Sequence, residues 1–346
     1  MNTIICLVSR QAMPNLLPVL MYKPKNVFLL STPEEIDCGK HLEAIFKKKN
    51  INVTLEVDIS AYDDKALKEK LNNIFSMYND NIVLNATGGT KLMAFTAYDF
   101  FSKNNKPVFY CNTEHKKIVH LLPERKTEDI NANLTIEDYL ASYGYRIKEE
   151  KEPLFKDLFE LLIDNNLLDE FIKFCRKIRE NFQQTYNRTF SSLEKHFLFQ
   201  KTAAGYFLFI QINNNKQRFE FNDSKFFFGD WLEYYAYWKY KAVKENQVKI
   251  GVCISSSSGT DNEIDIMLLK DYRLKLISCK SGKIKKKQKD SGKDPKPFLY
   301  EVETLRSISA GTFGEGILIL NEKPFEAVIN RAKELKIKLI YNIHEL

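Results

Sequence analysis

The chain has 346 residues, of which 44% are hydrophobic and 28% are charged, so it can bury the cores of two domains. No apolar run approaches the roughly 18 residues of a membrane span, which excludes a transmembrane helix. The net charge of +7 is concentrated, because residues 280–296 contain eight lysines and two aspartates. This concentration favours contact with a nucleic-acid backbone; the alternative is a solvated loop.

Residues 1–123 alternate between strand and helix patterns. Strand-like runs begin at residues 3, 26, 51, 81, 107 and 118, and helical patterns lie between them. The alternation predicts an α/β domain with a mostly parallel sheet covered by helices, a Rossmann-like layer structure. The N-terminus has no basic leader before its apolar run, so we interpret it as the first strand and not as a signal peptide.

The rest of the chain predicts a connector and a second domain. Residues 124–150 are polar and aperiodic, and residues 153–182 have apolar side chains at helical spacing. We therefore interpret 124–200 as a linker and helical connector. From 201 to 346, a hairpin, an aromatic-rich helix from residue 229, several strands and two more helices predict an α/β domain with a mixed sheet.

A glycine turn between a strand and a helix is the main ligand signal of the first domain. In NIVLNATGGTKLMAF, Gly88 and Gly89 let the backbone approach a ligand, and free N–H groups at the helix start favour an anion. Thr87 and Thr90 offer hydroxyls, and Lys91 adds a point charge. The turn is neither GxGxxG nor a Walker sequence, so a dinucleotide or triphosphate is not indicated. A tight turn without a ligand is the alternative.

A second polar loop follows the first strand and reaches the same sheet edge. Ser9, Arg10, Gln11 and Asn15 lie in this loop, SRQAMPNLLP. Ligands of open α/β sheets bind outside the carboxyl ends of the strands. Polar, partly basic residues on two such loops suit a phosphodiester ligand better than a hydride carrier.

The stretch NEIDIMLLKDYRLKLISCKSG, residues 262–282, is typical of two strands joined by a turn. Glu263 and Asp265 share one face of the first strand, and Ser278 and Lys280 share one face of the second. If these carboxylates bind a metal, their oxygen atoms and the lack of a histidine cluster favour magnesium or manganese over zinc. The six cysteines have no CxxC pair, which fits reduced thiols in a cytoplasmic protein. The alternative to a metal site is that Asp265 and Lys280 form a structural ion pair.

The residues of both domains resemble a known family. The first-strand loop, NATGGTKLMA at 85–94 and YCNT at 110–113 resemble a CRISPR-associated Rossmann-fold (CARF) sensor domain. The second domain resembles the restriction-endonuclease-like PD-(D/E)xK fold. This order of domains is the layout of the CRISPR ancillary nucleases of type III systems, and the resemblance covers nearly the whole chain.

The resemblance implies a homodimer that binds cyclic tetra-adenylate across its two sensor domains. It implies metal-dependent cleavage of DNA or single-stranded RNA, with the choice of substrate and the ring size of the activator left open. It also adds Thr32, Met93 and Thr113 to the residues expected at the activator site.

The resemblance assigns roles in the nuclease site. It makes Asp265 the main metal ligand and Lys280 the catalytic lysine. Glu233, on the aromatic-rich helix, is a further ligand, with a surface glutamate as the alternative. The family has an acid where this sequence has Ser278, and we favour Glu263 as its replacement. The alternatives are a weak metal site or a domain that has lost catalysis.

Three functions therefore stay open. The leading one is a nuclease that cyclic oligoadenylate activates. The second is a protein whose affinity for nucleic acid is switched by the ligand without cleavage, as the missing acid at Ser278 suggests. The third is a sensor domain that degrades its own activator, with Ser9 and Lys91 near the scissile bond.

Overall fold

The computed structural model describes residues 1–78, 81–182, 190–282 and 294–346. Residues 283–293, which carry most of the lysine-rich segment, lie outside the described residues, and their contact with nucleic acid stays a prediction. Among the described helices, none is long and apolar enough to cross a membrane.

A seven-stranded sheet forms the N-terminal half. Its strands are β1 Thr3–Leu7, β2 Asn26–Leu30, β3 Asn52–Glu56, β4 Ile82–Asn85, β5 Val108–Asn112, β6 Lys117–Leu122 and β7 Lys126–Asp129. The order is β3-β2-β1-β4-β5-β6-β7. The first five strands pair in parallel, and β6 and β7 are antiparallel to their neighbours. The prediction of a mostly parallel Rossmann-like sheet is confirmed.

Helices cover this sheet on both faces. They are α1 Met13–Tyr22, α2 Ile36–Lys48, α3 Asp64–Met77, α4 Lys91–Lys103 and α5 Ile136–Ser142. In α3, Asp63 caps the first turn by accepting from two backbone N–H groups, and Leu67, Leu71 and Ile74 form the buried face. Helix α1 occupies a segment that the sequence pattern assigned to a loop. Pro14 lies in its first turn, where proline is tolerated, and Pro18 lies inside the helix.

The stretch 124–150, which the sequence pattern left without regular structure, contains β7, α5 and a further strand, β8 Tyr145–Glu149. Strand β7 is mostly exposed at a sheet edge, so its sequence carries no alternation of apolar residues. Strand β8 pairs antiparallel with a strand of the C-terminal sheet. The domain boundaries at residues 123 and 200 stay a prediction.

Two helices and a small antiparallel sheet follow β8 along the chain. The helices are α6 Lys156–Asp164 and α7 Leu168–Phe182, and the strands are β9 Phe190–Glu194, β10 Phe197–Thr202, β11 Gly205–Ile212 and β12 Asn215–Phe221. The sheet order is β12-β11-β10-β9. The predicted hairpin at 206 and 217 is confirmed, because β11 and β12 pair antiparallel.

The C-terminal sheet has six strands in the order β17-β16-β15-β14-β13-β8. Its elements after a π-helical turn, Phe226–Asp230, are α8 Trp231–Lys241, β13 Gln247–Ser256, β14 Asp261–Lys270, β15 Arg273–Lys280, α9 Lys296–Ser309, β16 Glu315–Leu320, α10 Glu326–Glu334 and β17 Ile337–Ile340. Antiparallel pairing from β8 to β15 changes to parallel pairing from β15 to β17. The predicted mixed sheet is confirmed.

Side chains of β16 show how helices cover both faces of this sheet. Leu318 and Leu320 pack in one core with Val302 of α9, whereas Ile319 packs in another with Leu232 of α8. Since neighbouring strand residues point to opposite faces, α8 and α9 lie on opposite sides. The polar ends of β14 and β15 lie between these two layers.

Candidate functional site

The glycine turn of the first domain lies directly against the end of β1. A Cβ atom at Gly88 would be 1.9 Å from the carbonyl oxygen of Leu7, so only glycine fits there. Gly89 has a φ of +70°, in the left-handed region that favours glycine. Thr90 then caps α4, because its hydroxyl accepts from the Met93 N–H at 3.2 Å. Met93 itself is buried in the core below the turn.

Buried side chains hold this turn from beneath. Asn15 donates to the Leu7 carbonyl at 2.8 Å and accepts from Asn85 Nδ2 at 2.9 Å. Thr87 donates to Asn85 Oδ1 at 2.6 Å and accepts from the Cys111 N–H at 2.7 Å. Asn15 and Asn85 have no exposed surface. The geometry therefore places Asn15 and Thr87 where they support the turn, and their direct contact with a ligand stays a prediction.

An open cavity of about 370 Å³ lies beside the turn. Five of the predicted activator residues line it: Ser9, Arg10, Thr32, Gly89 and Thr90. The cavity is formed by the loops that follow four neighbouring strands, β3, β2, β1 and β4, with Tyr62 in the loop after β3. Such an edge can present backbone N–H groups and hydroxyls to a phosphodiester.

Two features of the cavity were missed from the sequence. Tyr62 lines it with a side chain that is 81% exposed, which offers an aromatic ring to a base. Glu34 and Glu35 also line it, and Arg10 pairs with Glu35 at 3.3 Å. An anion in the cavity would therefore compete with Glu35 for Arg10.

Three further predicted activator residues do not line the cavity. Gln11 points toward the C-terminal domain, where its Nε2 donates to Thr312 Oγ1 at 2.8 Å. Thr113 is partly buried just after β5, and Lys91 is exposed on the first turn of α4. Lys91 remains accessible to a ligand that extends beyond the cavity.

In the second domain, the side chain of Asp265 on β14 contacts the end of β15. Its Oδ2 accepts from the Cys279 N–H at 2.7 Å and from Ser278 Oγ at 3.1 Å. Lys280 Nζ is 3.5 Å from the same oxygen and 5.4 Å from the ring centroid of Phe298. The structure therefore brings Asp265, Ser278 and Lys280 to one point, as the strand alternation predicted.

Glu233 belongs to the same site and is not a surface glutamate. Its side chain, on α8, is only 12% exposed. Burial, followed by the negative charge of Asp265, raises the pKa of Glu233 to about 7. Glu263 differs, because its side chain is 65% exposed and lies at the rim. It nevertheless lines a narrow crevice with Asp265 and Ser278.

Lys151 is a site residue that sequence reasoning missed. Its Nζ is 3.1 Å from Glu233 Oε2 and 3.5 Å from Glu263 Oε1. Burial opposes its charge, but the charge and hydrogen bond of Glu233, together with the charges of Asp230 and Glu263, outweigh burial and raise the pKa of Lys151. The residue follows β8 in a charged stretch without periodicity, which gave no signal. Glu301 of α9, which lines the crevice, was also missed.

The donor set fits a hard divalent cation that keeps part of its water shell. The described ranges contain no group of three or more His, Cys, Asp or Glu residues arranged as a metal site. They do contain two neighbouring carboxylates, Asp265 and Glu233, and Mg²⁺ is commonly held by one or two carboxylates plus waters. The ammonium of Lys151 against Glu233 shows that this site attracts positive charge.

Two family models match the chain. Residues 3–139 match the model described as the Card1 CARF domain, and residues 221–345 match the Card1-like endonuclease domain. Among curated proteins, none matches the sequence.

Solved structures of similar fold agree with this division. Can2 from Sulfobacillus thermosulfidooxidans, in complex with cyclic tetra-adenylate, is 21% identical with a TM-score of 0.75, over 100% of this chain and 97% of that one. VC1899 from Vibrio cholerae is 16% identical with a TM-score of 0.74, over 98% and 93%. A type III CRISPR defence DNA nuclease activated by cyclic oligoadenylate is 17% identical with a TM-score of 0.59, over 94% of this chain but 46% of that one. At these identities the likeness establishes the fold.

Proposed function

The chain belongs to the CARF nucleases, with a Card1 CARF domain followed by a Card1-like endonuclease domain, and we propose that it is a metal-dependent nuclease activated by cyclic oligoadenylate. The observation that carries this proposal is the convergence of Asp265, Glu233 and Lys280 on one point of the endonuclease domain. The cavity at the glycine turn supports the sensor role of the first domain.

The proposed chemistry assigns each side chain a task. Asp265 and Glu233 would hold Mg²⁺ or Mn²⁺, which when bound supplies a sink for phosphate charge and positions water. Lys280 has its ammonium 3.5 Å from Asp265 and is held near the Phe298 ring, so it can contact a phosphate oxygen beside the metal ligands. Its positive charge would stabilise the charge that develops in the transition state. The same chemistry applies to the phosphodiester bonds of DNA and of single-stranded RNA.

The proposed activator is cyclic tetra-adenylate, the ligand in the Can2 complex. Ser9, Thr32 and Thr90 line the cavity with hydroxyls, and Tyr62 adds an exposed ring. A cyclic ligand with repeated phosphates is matched by the same loop presented twice about a twofold axis. We therefore propose a homodimer.

Exposed apolar side chains support the proposed dimer. Leu92 and Phe95, three residues apart on α4, are 41% and 70% exposed, and they directly follow the glycine turn. Tyr110 of β5 is 43% exposed. A second copy packed on α4 would bury Leu92 and Phe95 and would bring the two glycine turns close together.

All six cysteines are free thiols. Disulfides are rare in reducing compartments, where free thiols of this kind persist. We therefore propose a cytoplasmic location for the protein.

Replacing Lys91 by alanine is expected to weaken binding of cyclic tetra-adenylate by about 10- to 100-fold, because one charge-assisted contact contributes about 1.5–3 kcal/mol. Lys91 is exposed, so the melting temperature should not change. Calorimetry should also give one ligand per two chains. A stoichiometry of one ligand per chain would contradict the shared site, and unchanged affinity would remove Lys91 from it.

One experiment separates the proposed function from its two alternatives. The protein is incubated with Mg²⁺ or Mn²⁺, plasmid DNA and single-stranded RNA, with and without cyclic tetra-adenylate. Cleavage that requires the activator supports the nuclease. A change in nucleic-acid affinity without cleavage supports a ligand-switched binding protein. Loss of the cyclic ligand itself supports a sensor that degrades its activator.

Glu263 is the proposed replacement for the acid missing at Ser278. Glu263→Gln is expected to lower cleavage severely at limiting metal, and added Mn²⁺ should restore part of it if the loss lies in metal affinity. Ser278→Glu in the Glu263→Gln background should recover some activity, because it returns a carboxylate beside Asp265. If Glu263→Gln cleaves like the parent at every metal concentration, Glu263 has no such role and Glu233 supplies the second carboxylate alone.

A further inference from the structure

The ammonium group of Lys151 lies against the carboxylate of Glu233, which we propose as a metal ligand. Its Nζ lies 3.1 Å from Glu233 Oε2, and the Glu233 side chain is 12% exposed. A divalent cation bound to that carboxylate would be repelled by an ammonium group at this distance. The lysine and the metal ion therefore compete for Glu233. Lys280, the second lysine of the site, contacts Asp265 instead.

The backbone fixes Lys151 at the end of β8. Its N–H lies 3.0 Å from the carbonyl oxygen of Ile250 and 3.2 Å from that of Gly251, both on β13. Gly251 has a φ of +54°, and a Cβ there would be 2.2 Å from Lys151 Cδ. The aliphatic part of the lysine thus lies directly on this glycine. The distance between the Lys151 ammonium and Glu233 therefore depends on the position of β8 relative to β13.

The other end of β8 is connected to the activator loop. Tyr143, two residues before β8, has its hydroxyl 3.5 Å from Gln11 Oε1. Gln11 also donates to Thr312 Oγ1 at 2.8 Å, and it directly follows Arg10, which lines the activator cavity. A movement of the activator loop therefore acts on Tyr143. A paired strand transmits such a displacement along its length, and Lys151 lies at the far end.

We propose that Lys151 is a positioning residue that occupies Glu233 in the resting protein, and that activator binding withdraws it through β8 so that Glu233 can bind a divalent cation. The inference rests on the proposed function and adds how the activator controls the metal site. It requires that the resting protein bind metal more weakly than the activated protein. By linkage, metal must also tighten activator binding by the same factor.

The test measures Mn²⁺ binding by electron paramagnetic resonance in the absence of nucleic acid, with and without cyclic tetra-adenylate. Lys151→Met removes the charge and keeps the chain length. Without activator, it is expected to bind Mn²⁺ about tenfold more tightly than the parent, a typical allosteric coupling. The activator should then tighten binding in the parent and have little further effect in the variant. Lys151→Arg keeps the charge and should behave like the parent.

Lys148→Met is the matched control. Lys148 lies on the same strand and pairs with Asp261 at 2.7 Å, outside the site, so its loss should leave Mn²⁺ affinity unchanged. Thermal melting and activator binding check that each variant folds. If Lys151→Met binds Mn²⁺ like the parent in both states, or binds it more weakly, the inference is overturned. If the inference fails but the parent still cleaves when the activator is present, the proposed function remains intact. If the parent never cleaves, the proposed function is refuted, and the Mn²⁺ comparison alone decides the role of Lys151.

Tyr143→Phe tests the connection to the activator loop. It removes the hydroxyl that contacts Gln11 and keeps the ring. In the parent background, the activator should tighten Mn²⁺ binding less than before. In the Lys151→Met background, Tyr143→Phe should have no effect on Mn²⁺ affinity. An effect of equal size in both backgrounds would show that Tyr143 does not act through Lys151.

Discussion

Asp265→Asn is expected to lower cleavage by about 10³-fold, which corresponds to about 4 kcal/mol of activation free energy. Asparagine keeps the size of the side chain and an oxygen that can accept from the Cys279 N–H. It removes the negative charge that pairs with Lys280 and that we propose to hold the metal. Lys280→Ala is expected to lower cleavage by a similar factor, because its charge acts mainly in the transition state.

The measurement is single-turnover cleavage at saturating activator and metal, with activator affinity determined in parallel. Activator binding measured without metal should be unchanged in both variants, because the cavity lies in the other domain. Lys275→Ala is the control for Lys280→Ala, since Lys275 is on the same strand and pairs with Glu315 at 2.8 Å. It should retain near-parental cleavage. Parental cleavage by Asp265→Asn at limiting metal would remove Asp265 from the site.

The convergence of Asp265 with Lys280 could be predicted from strand alternation together with the short turn between β14 and β15. Residues two apart on a strand share a face, and a short turn brings neighbouring strands together. Alternation did not decide the position of Glu263, which lies exposed at the rim. The glycine turn was predictable because a strand, the glycine pair and a helix follow one another directly in the sequence. Both signals are local in sequence.

The burial of Glu233 and the position of Lys151 could not be predicted, because they depend on tertiary contacts. The resemblance suggested Glu233 as a metal ligand, but a glutamate on an aromatic-rich helix can face solvent or the sheet, and only the packed structure shows that Glu233 is buried. Lys151 and Glu233 are 82 residues apart, and their contact requires β8 to pair with β13. The burial of Asn15 was equally unpredictable: the sequence places it after a strand, and α1 turns it inward to support the glycine turn.

Gly88→Ala is expected to lower the affinity for cyclic tetra-adenylate by at least about 10²-fold, the loss of about 3 kcal/mol of binding free energy. The added Cβ would lie 1.9 Å from the Leu7 carbonyl oxygen and 3.0 Å from its carbonyl carbon. These are backbone atoms of a buried strand, so the turn itself must move. The displaced turn would carry Gly89 and Thr90 out of the cavity lining and disturb the cap of α4.

Gly39→Ala is the matched control for this prediction, because its Cβ would meet the end of a flexible side chain, Leu55 Cδ1, at 2.7 Å. It also replaces glycine within a helix, which favours alanine by about 0.5–1 kcal/mol.

Calorimetry with the cyclic ligand and thermal melting should therefore separate the two variants. Gly88→Ala should lose activator binding and melt earlier, since overpacking costs about 1–3 kcal/mol. Its Mn²⁺ binding without activator should match the parent, because the nuclease site lies on a different sheet. Parental activator affinity in Gly88→Ala would mean that the ligand does not bind at the glycine turn, and the proposed sensor site would be wrong.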